Sequence, residues 1–412
     1  MPSARILTLL TCRPEFRPPW TLRAHLTQLT LSRLPRAQVE ALVRRVTAGK
    51  ALPGEVLQQI AARTDGVPLF VEELTKMVLE SGLLHEREEH YELTGPLPPL
   101  AIPATLHDSL MARLDRLAAV KAVAQLGATQ GRAFPYALLA AVSPLNEATL
   151  QQALARLVEA ELLYQRGVPP QATYLFKHAL IQEAAYQSLL KSTRQQYHQR
   201  IAQVLEERFP DLVDTQPELL AQHYTEAGES ARAIVYWQQA GERALQRSAN
   251  LEAISHLRRG LEALTTLPES HERAQQELRL QIPLGSALIA TRAPAAPEVE
   301  TTYTRAYELA QHVGDAPQML PVLWGLWYFA LSRAEFGRAQ ALGEHLLHMG
   351  QRVQDPIVLL AGHTTTGGSL LLQGELAQTH PHLDQAVSLY DPQQHRTLAF
   401  LYGMDYGAIG HF

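Results

Sequence analysis

ARAIVYWQQAGERAL (Ala231–Leu245) and LEAISHLRRGLEAL (Leu251–Leu264) decide the fold. Both carry apolar residues at steps of three and four, the spacing of one helix face. The pair Ala233-Ile234 recurs as Ala253-Ile254, so one helical pattern is used twice. Further on, SRAEFGRAQALGEHLL resembles LQGELAQTHPHLDQAV, and Glu335 and Glu375 stand 40 residues apart. Each unit reads as helix, Gly/Ala-Glu turn, helix. Small residues at Ala231, Ala233, Ala339 and Ala377 are expected to let paired helices pack closely. Self-similar helical hairpins over 217–412 predict an α-solenoid of tetratricopeptide type, with repeats slightly longer than the ~34-residue norm. The chain stops at YGAIGHF, within an expected first helix of another unit. Trp324, Trp327 and Tyr328 read as core residues of a repeat.

Working toward the N-terminus, ELLYQRG and ATYLFKH flank VPPQ and predict a hairpin. Helices before a hairpin make 104–212 winged-helix-like, with TRQQYHQRIAQVLEERF as its closing helix. LTGPLPPLAIP (93–103) is a proline-rich linker, and Thr105 a plausible cap just beyond it. Residues 34–92 read as a helical domain. There TDGVPLFVEELTKMVLESGLL places a Gly66-x-Pro68 corner before an amphipathic helix. Ile6–Leu10 reads as one buried strand without partner strands nearby, so 1–33 is expected to be the last piece of a sheet. The fold class is therefore mainly α: a sheet remnant with a helical lid, a winged-helix domain and a helical solenoid.

Bulk properties narrow the function. The 412 residues suffice for two or three domains, and 46% hydrophobic content allows sizeable cores. A net charge of −5 gives no basic footprint for nucleic acid. The single cysteine, Cys12, excludes a disulfide framework and suits a reducing, cytoplasmic setting. No apolar run is long enough to span a membrane, and no secretory leader is visible. HEREEH (His85–His90) spaces its histidines five apart, not the four that share a helix face, and HPH (His380–His382) has no cysteines nearby; no metal site is assigned. No Gly-x-Ser-x-Gly elbow supports hydrolase chemistry, and no catalytic residue is assigned.

LTCRPEFRPPW, TDGVPLFVEELTKMVLESGLL, IPATLHDSLMARLDRL, YLFKHALIQEAAYQSLL and RQQYHQRIAQVLEE, followed by QHYTEAGESARAIVYWQQAGERAL, occur in an order that resembles the C-terminal half of bacterial STAND-type signalling ATPases. The resemblance is strongest to those fused behind a class III adenylate/guanylate cyclase or a protein kinase domain. It implies an AAA+ core, then a lid, a winged helix and tetratricopeptide-like repeats. It also implies nucleotide contacts that operate only with a complete core. Arg13 falls at the sensor-1 position that feels the γ-phosphate. Gly66 and Pro68 fall at the lid corner whose proline packs on adenine. His178 falls at the winged-helix position that reaches the β-phosphate of ADP.

The chain departs from that family where phosphate would be held. Its one Gly-Lys, Gly49-Lys50, is followed by Ala51, and Arg44 stands where the first loop glycine belongs. Walker A and Walker B are both missing, so no cofactor is expected on this chain, and ATP/ADP with Mg belongs to an intact parent. The expected partners are a protein or peptide on the repeats and the parent's own ATPase, cyclase or kinase domains. The main expectation is a regulatory and scaffolding segment. The alternatives are part of an ATP-binding adenylate/guanylate cyclase fusion enzyme whose catalytic domains are not on this chain, and a transcription regulator built on the winged helix, although STRQQYHQR is only mildly basic and does not favour DNA.

Overall fold

The computed structural model describes residues 7–12, 16–17, 26–95, 105–314 and 316–391. Among these, the chain divides into two compact units, with the boundary between Ala118 and Ala119.

The first unit holds α1 (Arg36–Val46), α2 (Gly54–Thr64), α3 (Pro68–Glu80), β1 (Leu84–Glu86), β2 (Tyr91–Leu93) and α4 (Leu106–Arg116). Val39, Val43, Val56, Ile60, Val71, Leu74 and Val78 form its core. HEREEH lies within a small antiparallel hairpin, where His85 pairs with Glu92 across β1 and β2. Thr105 caps α4, accepting from the Asp108 N–H at 3.1 Å. Although α4 follows the proline-rich stretch, it packs on α3. There the buried Arg113 donates to buried Glu73, and its Nη2 donates to Glu80 at 3.1 Å. Burial opposes the guanidinium charge, and the two carboxylates outweigh it, so the Arg113 pKa is raised. Leu7–Leu10 form no strand and are exposed, contrary to the expected Ile6–Leu10 strand. An apolar strand needs neighbours to bond its backbone, and none of the described strands pairs with it. Ile6 itself lies outside the described residues.

The boundary falls at the first residue of α5 (Ala118–Gln130), and the second unit continues with β3 (Ala133–Pro135), α6 (Tyr136–Val142), α7 (Glu147–Glu159), β4 (Leu163–Arg166), β5 (Thr173–Phe176), α8 (Ala179–Gln187) and α9 (Lys191–Arg208). The hairpin expected around VPPQ is present: β4 pairs antiparallel with β5, in the order β3-β5-β4. Phe134 and Phe176 are fully buried beneath this sheet, their ring centroids 5.7 Å apart.

Then come α10 (Pro210–Thr215), α11 (Pro217–Ala227), α12 (Ser230–Gln246), α13 (Asn250–Leu264), α14 (His271–Arg292), α15 (Pro297–Val313), α16 (Ala316–Ser332), α17 (Phe336–Val353), α18 (Pro356–Gln373) and α19 (Leu376–Leu389). Each helix from α11 to α19 packs on the next, which is a mainly α solenoid. Trp324 and Trp327 are buried, as their sequence context suggests, and Trp327 Nε1 donates to Ser369 Oγ at 3.0 Å. Residues 392–412, with the expected first helix of another unit, lie outside the described residues.

Among the described residues, one turn recurs four times between helices of the repeats. Gly228, Ser248, Ala334 and Gly374 are left-handed, with φ of 82°, 59°, 59° and 82°. The next residue donates back to the carbonyl five positions earlier: Glu229 to Tyr224 (2.9 Å), Ala249 to Ala244 (2.8 Å), Glu335 to Ala330 (2.9 Å) and Glu375 to Leu370 (3.0 Å). This satisfies a helix-end carbonyl that would otherwise be orphaned. Those four residues share one backbone shape, φ −81° to −89° and ψ 57° to 65°, and open the following helix. Four positions on stand Ala233, Ala253, Ala339 and Thr379, all buried. The small packing position is thus the fourth after the turn. Ala231 and Ala377 are exposed, because the new helix has not yet turned them inward.

Left-handed geometry costs an L-residue roughly 1–2 kcal/mol, and glycine gives back part of that in unfolded-chain entropy. Ala334→Gly should therefore stabilise the chain by roughly 0.5 kcal/mol. The urea midpoint should rise without a change in slope. A lower midpoint would show that this turn is not what ends α16.

Candidate functional site

Three helices of the solenoid, α11, α12 and α13, build a groove of about 910 Å³. Its floor is Trp237, buried, with Nε1 donating to Thr225 Oγ1 at 3.0 Å. Arg259 lies over the indole, 5.0 Å from the ring centroid, and its Nη1 donates to Gln222 Oε1 at 3.3 Å. Stacking on an aromatic face holds the guanidinium plane while leaving its edge free to bond. The rim is tied by Thr266 Oγ1 donating to Ser230 Oγ at 2.7 Å. Glu226, Glu229 and Glu262 line the groove together with Arg232 and Arg259. Arg232 is engaged, donating to Tyr224 Oη at 2.7 Å. Tyr236 donates to Glu206 at 2.5 Å, and burial together with that carboxylate pushes its phenol up to about 12.

The lining contains no histidine, cysteine or lysine, and its ionisable groups are the three glutamates and two arginines. What it offers is alternating donors and acceptors beside an aromatic floor. That suits polypeptide of mixed charge better than a polyanion, since three carboxylates oppose two guanidiniums.

A second polar assembly joins α8, α9 and α11. His198 and His223 are both buried, with Nδ1 atoms 2.8 Å apart. His198 Nε2 lies 2.9 Å from Tyr186 Oη, which donates to Glu226 Oε2 at 3.4 Å. If tyrosine donates to Glu226, His198 must donate from Nε2, and His223 must supply the proton between the two Nδ1 atoms. Burial, then Arg194, lowers His198 to about 4; burial, then His198, lowers His223 to about 3.

The nucleotide-contact residues expected from sequence are distributed as follows. Gly66 and Pro68 form one corner of the first unit. Gly66 is buried with φ +69°, and a Cβ there would stand 2.2 Å from the Leu34 carbonyl oxygen. Leu34 N donates to Gly66 O at 2.7 Å. The corner is bare because the chain's own backbone lies against it. Pro68 is exposed at the first position of α3. His178 is half-buried at the N-cap of α8 in the second unit, and Arg13 lies outside the described residues. Lys50 donates to Glu86 at 2.5 Å, which raises its pKa, and Gly49 follows the C-terminal end of α1. Helix α2 starts only at Gly54, four residues after Lys50, so neither residue stands in its first turn, where phosphate binds.

Arg259, Gln222, Trp237 and Glu262 were not singled out from sequence. Gln222 sits on α11, Trp237 on α12, and Arg259 and Glu262 on α13, and the packing of these three helices gathers them.

No protein-family model matches the chain. An uncharacterized protein of Rhizobium meliloti (strain 1021) is 25% identical over 394 residues, 94% of this chain. The chain spans 38% of that relative's length. Among solved structures, a STAND protein with a tetratricopeptide repeat sensor from Pyrococcus horikoshii aligns with 92% of this chain and 57% of its own, at TM-score 0.31 and 11% identity. A Rap protein complexed with competence and sporulation factor aligns with 90% of this chain and 79% of its own, at TM-score 0.33 and 10% identity.

Two outcomes test this geometry. Gly66→Ala should cost at least about 2 kcal/mol, because strain at positive φ adds to a backbone clash; Gly54→Ala, with open space around it, should not. An unchanged melt for Gly66→Ala would contradict the Leu34 contact. The two buried histidines set an acid limit. Their folded pKa values lie below the unfolded value, so the stability they allow is complete above about pH 6.5 and is lost as pH falls toward the folded values. At pH 5 the loss is about 2 kcal/mol per histidine. His198→Gln should flatten the fall in urea stability between pH 7 and pH 5; an equal slope in both proteins would exclude the pair as its origin.

Proposed function

We propose that this chain is a regulatory and scaffolding segment of a STAND-type signal-transduction ATPase, in which the repeats recognise a protein or peptide. The groove over Trp237 carries the binding part of this reading, because it is a built, mixed-charge recess on stacked helical hairpins. Such stacks present extended surfaces suited to polypeptide. The STAND assignment is supported by five sequence blocks in the family's order. The element order α5-β3-α6-α7-β4-β5 fits the winged helix that the family places between lid and repeats.

Nucleotide switching belongs to the parent. Arg13, Gly66, Pro68 and His178 would contact ATP or ADP with Mg only beside a complete core, and with Leu34 against Gly66 the exposed Val67–Pro68 edge is the part of the corner available to a base. A cyclase or kinase fusion accounts for the same sequence blocks and differs only in the output domain. The transcription-regulator reading is less favoured: the exposed side of α7 carries Glu147, Gln151, Gln152, Arg156 and Glu159, which is net negative and would repel phosphate.

Pull-down with the whole chain should retain a partner that Arg259→Glu releases while the fold, by circular dichroism, is kept. Equal retention by both proteins would remove the groove from the reading. Calorimetry with millimolar Mg-ATP should show neither micromolar binding nor turnover, because the Gly-rich loop, its lysine and a magnesium carboxylate supply the positioning this chemistry needs. Turnover above an Arg13→Ala control would reveal a nucleotide site in this chain.

A further inference from the structure

His382, in the HPH stretch of α19, faces His363 of α18. Their Nδ1 atoms are 3.2 Å apart, the rings tilted by 47° with centroids 5.2 Å apart. The helices are held close at this level: a Cβ on Gly367 of α18 would stand 3.3 Å from His382 Cβ. Two nitrogens bound to a tetrahedral ion at ~2.0–2.1 Å are themselves roughly 3.3 Å apart. The other histidine pair provides the contrast. His198 and His223 are closer, at 2.8 Å, fully buried, and the second His198 nitrogen is taken by Tyr186, which describes a closed hydrogen-bonded chain. His363 and His382 are half-buried and open to solvent on one side. Their separation is at the long limit of an N–H···N bond.

We propose that His363 and His382 form a two-histidine site for a divalent transition-metal ion of the zinc class, bridging α18 and α19. Imidazole nitrogen is the donor this class of ion favours. Burial lowers both pKa values, with His382 acting further on His363 and the Glu344 carboxylate partly opposing the shift on His382, so both rings are neutral near pH 7, as ligation requires. Among the described residues no third histidine, cysteine or carboxylate stands close enough to complete a three-ligand set with this pair. Water fills the remaining positions, and Glu344 on α17 lies within electrostatic reach of His382. The ion would pin the last two described helices together.

The test uses the whole chain, stripped with a chelator, and zinc chloride alone as probe. Calorimetry should show one saturable site, and the melting temperature should rise with zinc, since an ion that binds only the folded chain stabilises it. His363→Gln and His382→Gln should each weaken binding about tenfold or more and remove the rise. His380→Gln should leave both unchanged, because His380 is exposed and paired with Asp384 at 2.8 Å. Should a glutamine variant fail to fold, paramagnetic nickel added to the unaltered chain should broaden resonances around His363 and His382 before all others. The proposal is overturned by no saturable zinc binding, by binding that survives both glutamine substitutions, by binding lost with His380→Gln, or by nickel broadening that starts elsewhere.

Discussion

A helix can leave its last carbonyls unsatisfied only at a cost, and the second unit answers that constraint in the same way four times. One residue turns left-handed, the next bonds back five positions, and the chain re-enters a helix aimed at the one it left. The packing at these four junctions follows. The re-entry fixes which side of the new helix faces inward, and so makes the fourth residue a contact point. Helices α17 and α18 meet at a different turn, where the Asp355 side chain caps α18, and they pack closely: side chains on Gly343 and Gly362 would collide with the opposing backbone at 2.8 Å and 2.6 Å.

Much of this was legible beforehand. The 40-residue interval between Glu335 and Glu375 is the interval between two such turns, and Ala233-Ile234 and Ala253-Ile254 occupy equivalent buried places on α12 and α13. The hairpin around VPPQ followed from strand-type residues on both sides of a turn. What did not follow was phase. Ala231 and Ala377 are small, yet point outward, while Thr379 carries the inward role. Composition marks a position as permissive; the turn geometry determines whether it is used.

The site was less legible than the fold, for a related reason. Gly66 drew notice as a bare corner, but which neighbour requires the bareness depends on Leu34, some thirty residues earlier and unremarkable in pattern. The groove draws on three helices, and the histidine contacts join residues 25 and 19 positions apart. Neither spacing corresponds to a local ligand motif. Short motifs report chemistry only when one element supplies all the groups; here pairs of elements supply them.

Arg113 gives the proline-rich stretch at 93–103 a different meaning from a spacer between folding units. Helix α4 lies beyond that stretch, yet its guanidinium is sealed in with Glu73 of α3. Breaking a buried pair by removing one partner costs about 3–5 kcal/mol. A genetic exchange that joined foreign sequence at the prolines would leave the buried Glu73 carboxylate without its guanidinium. An exchange just after Ala118 would carry the pair across intact. Recombination among chains of this kind is therefore constrained to a junction that the prolines do not mark.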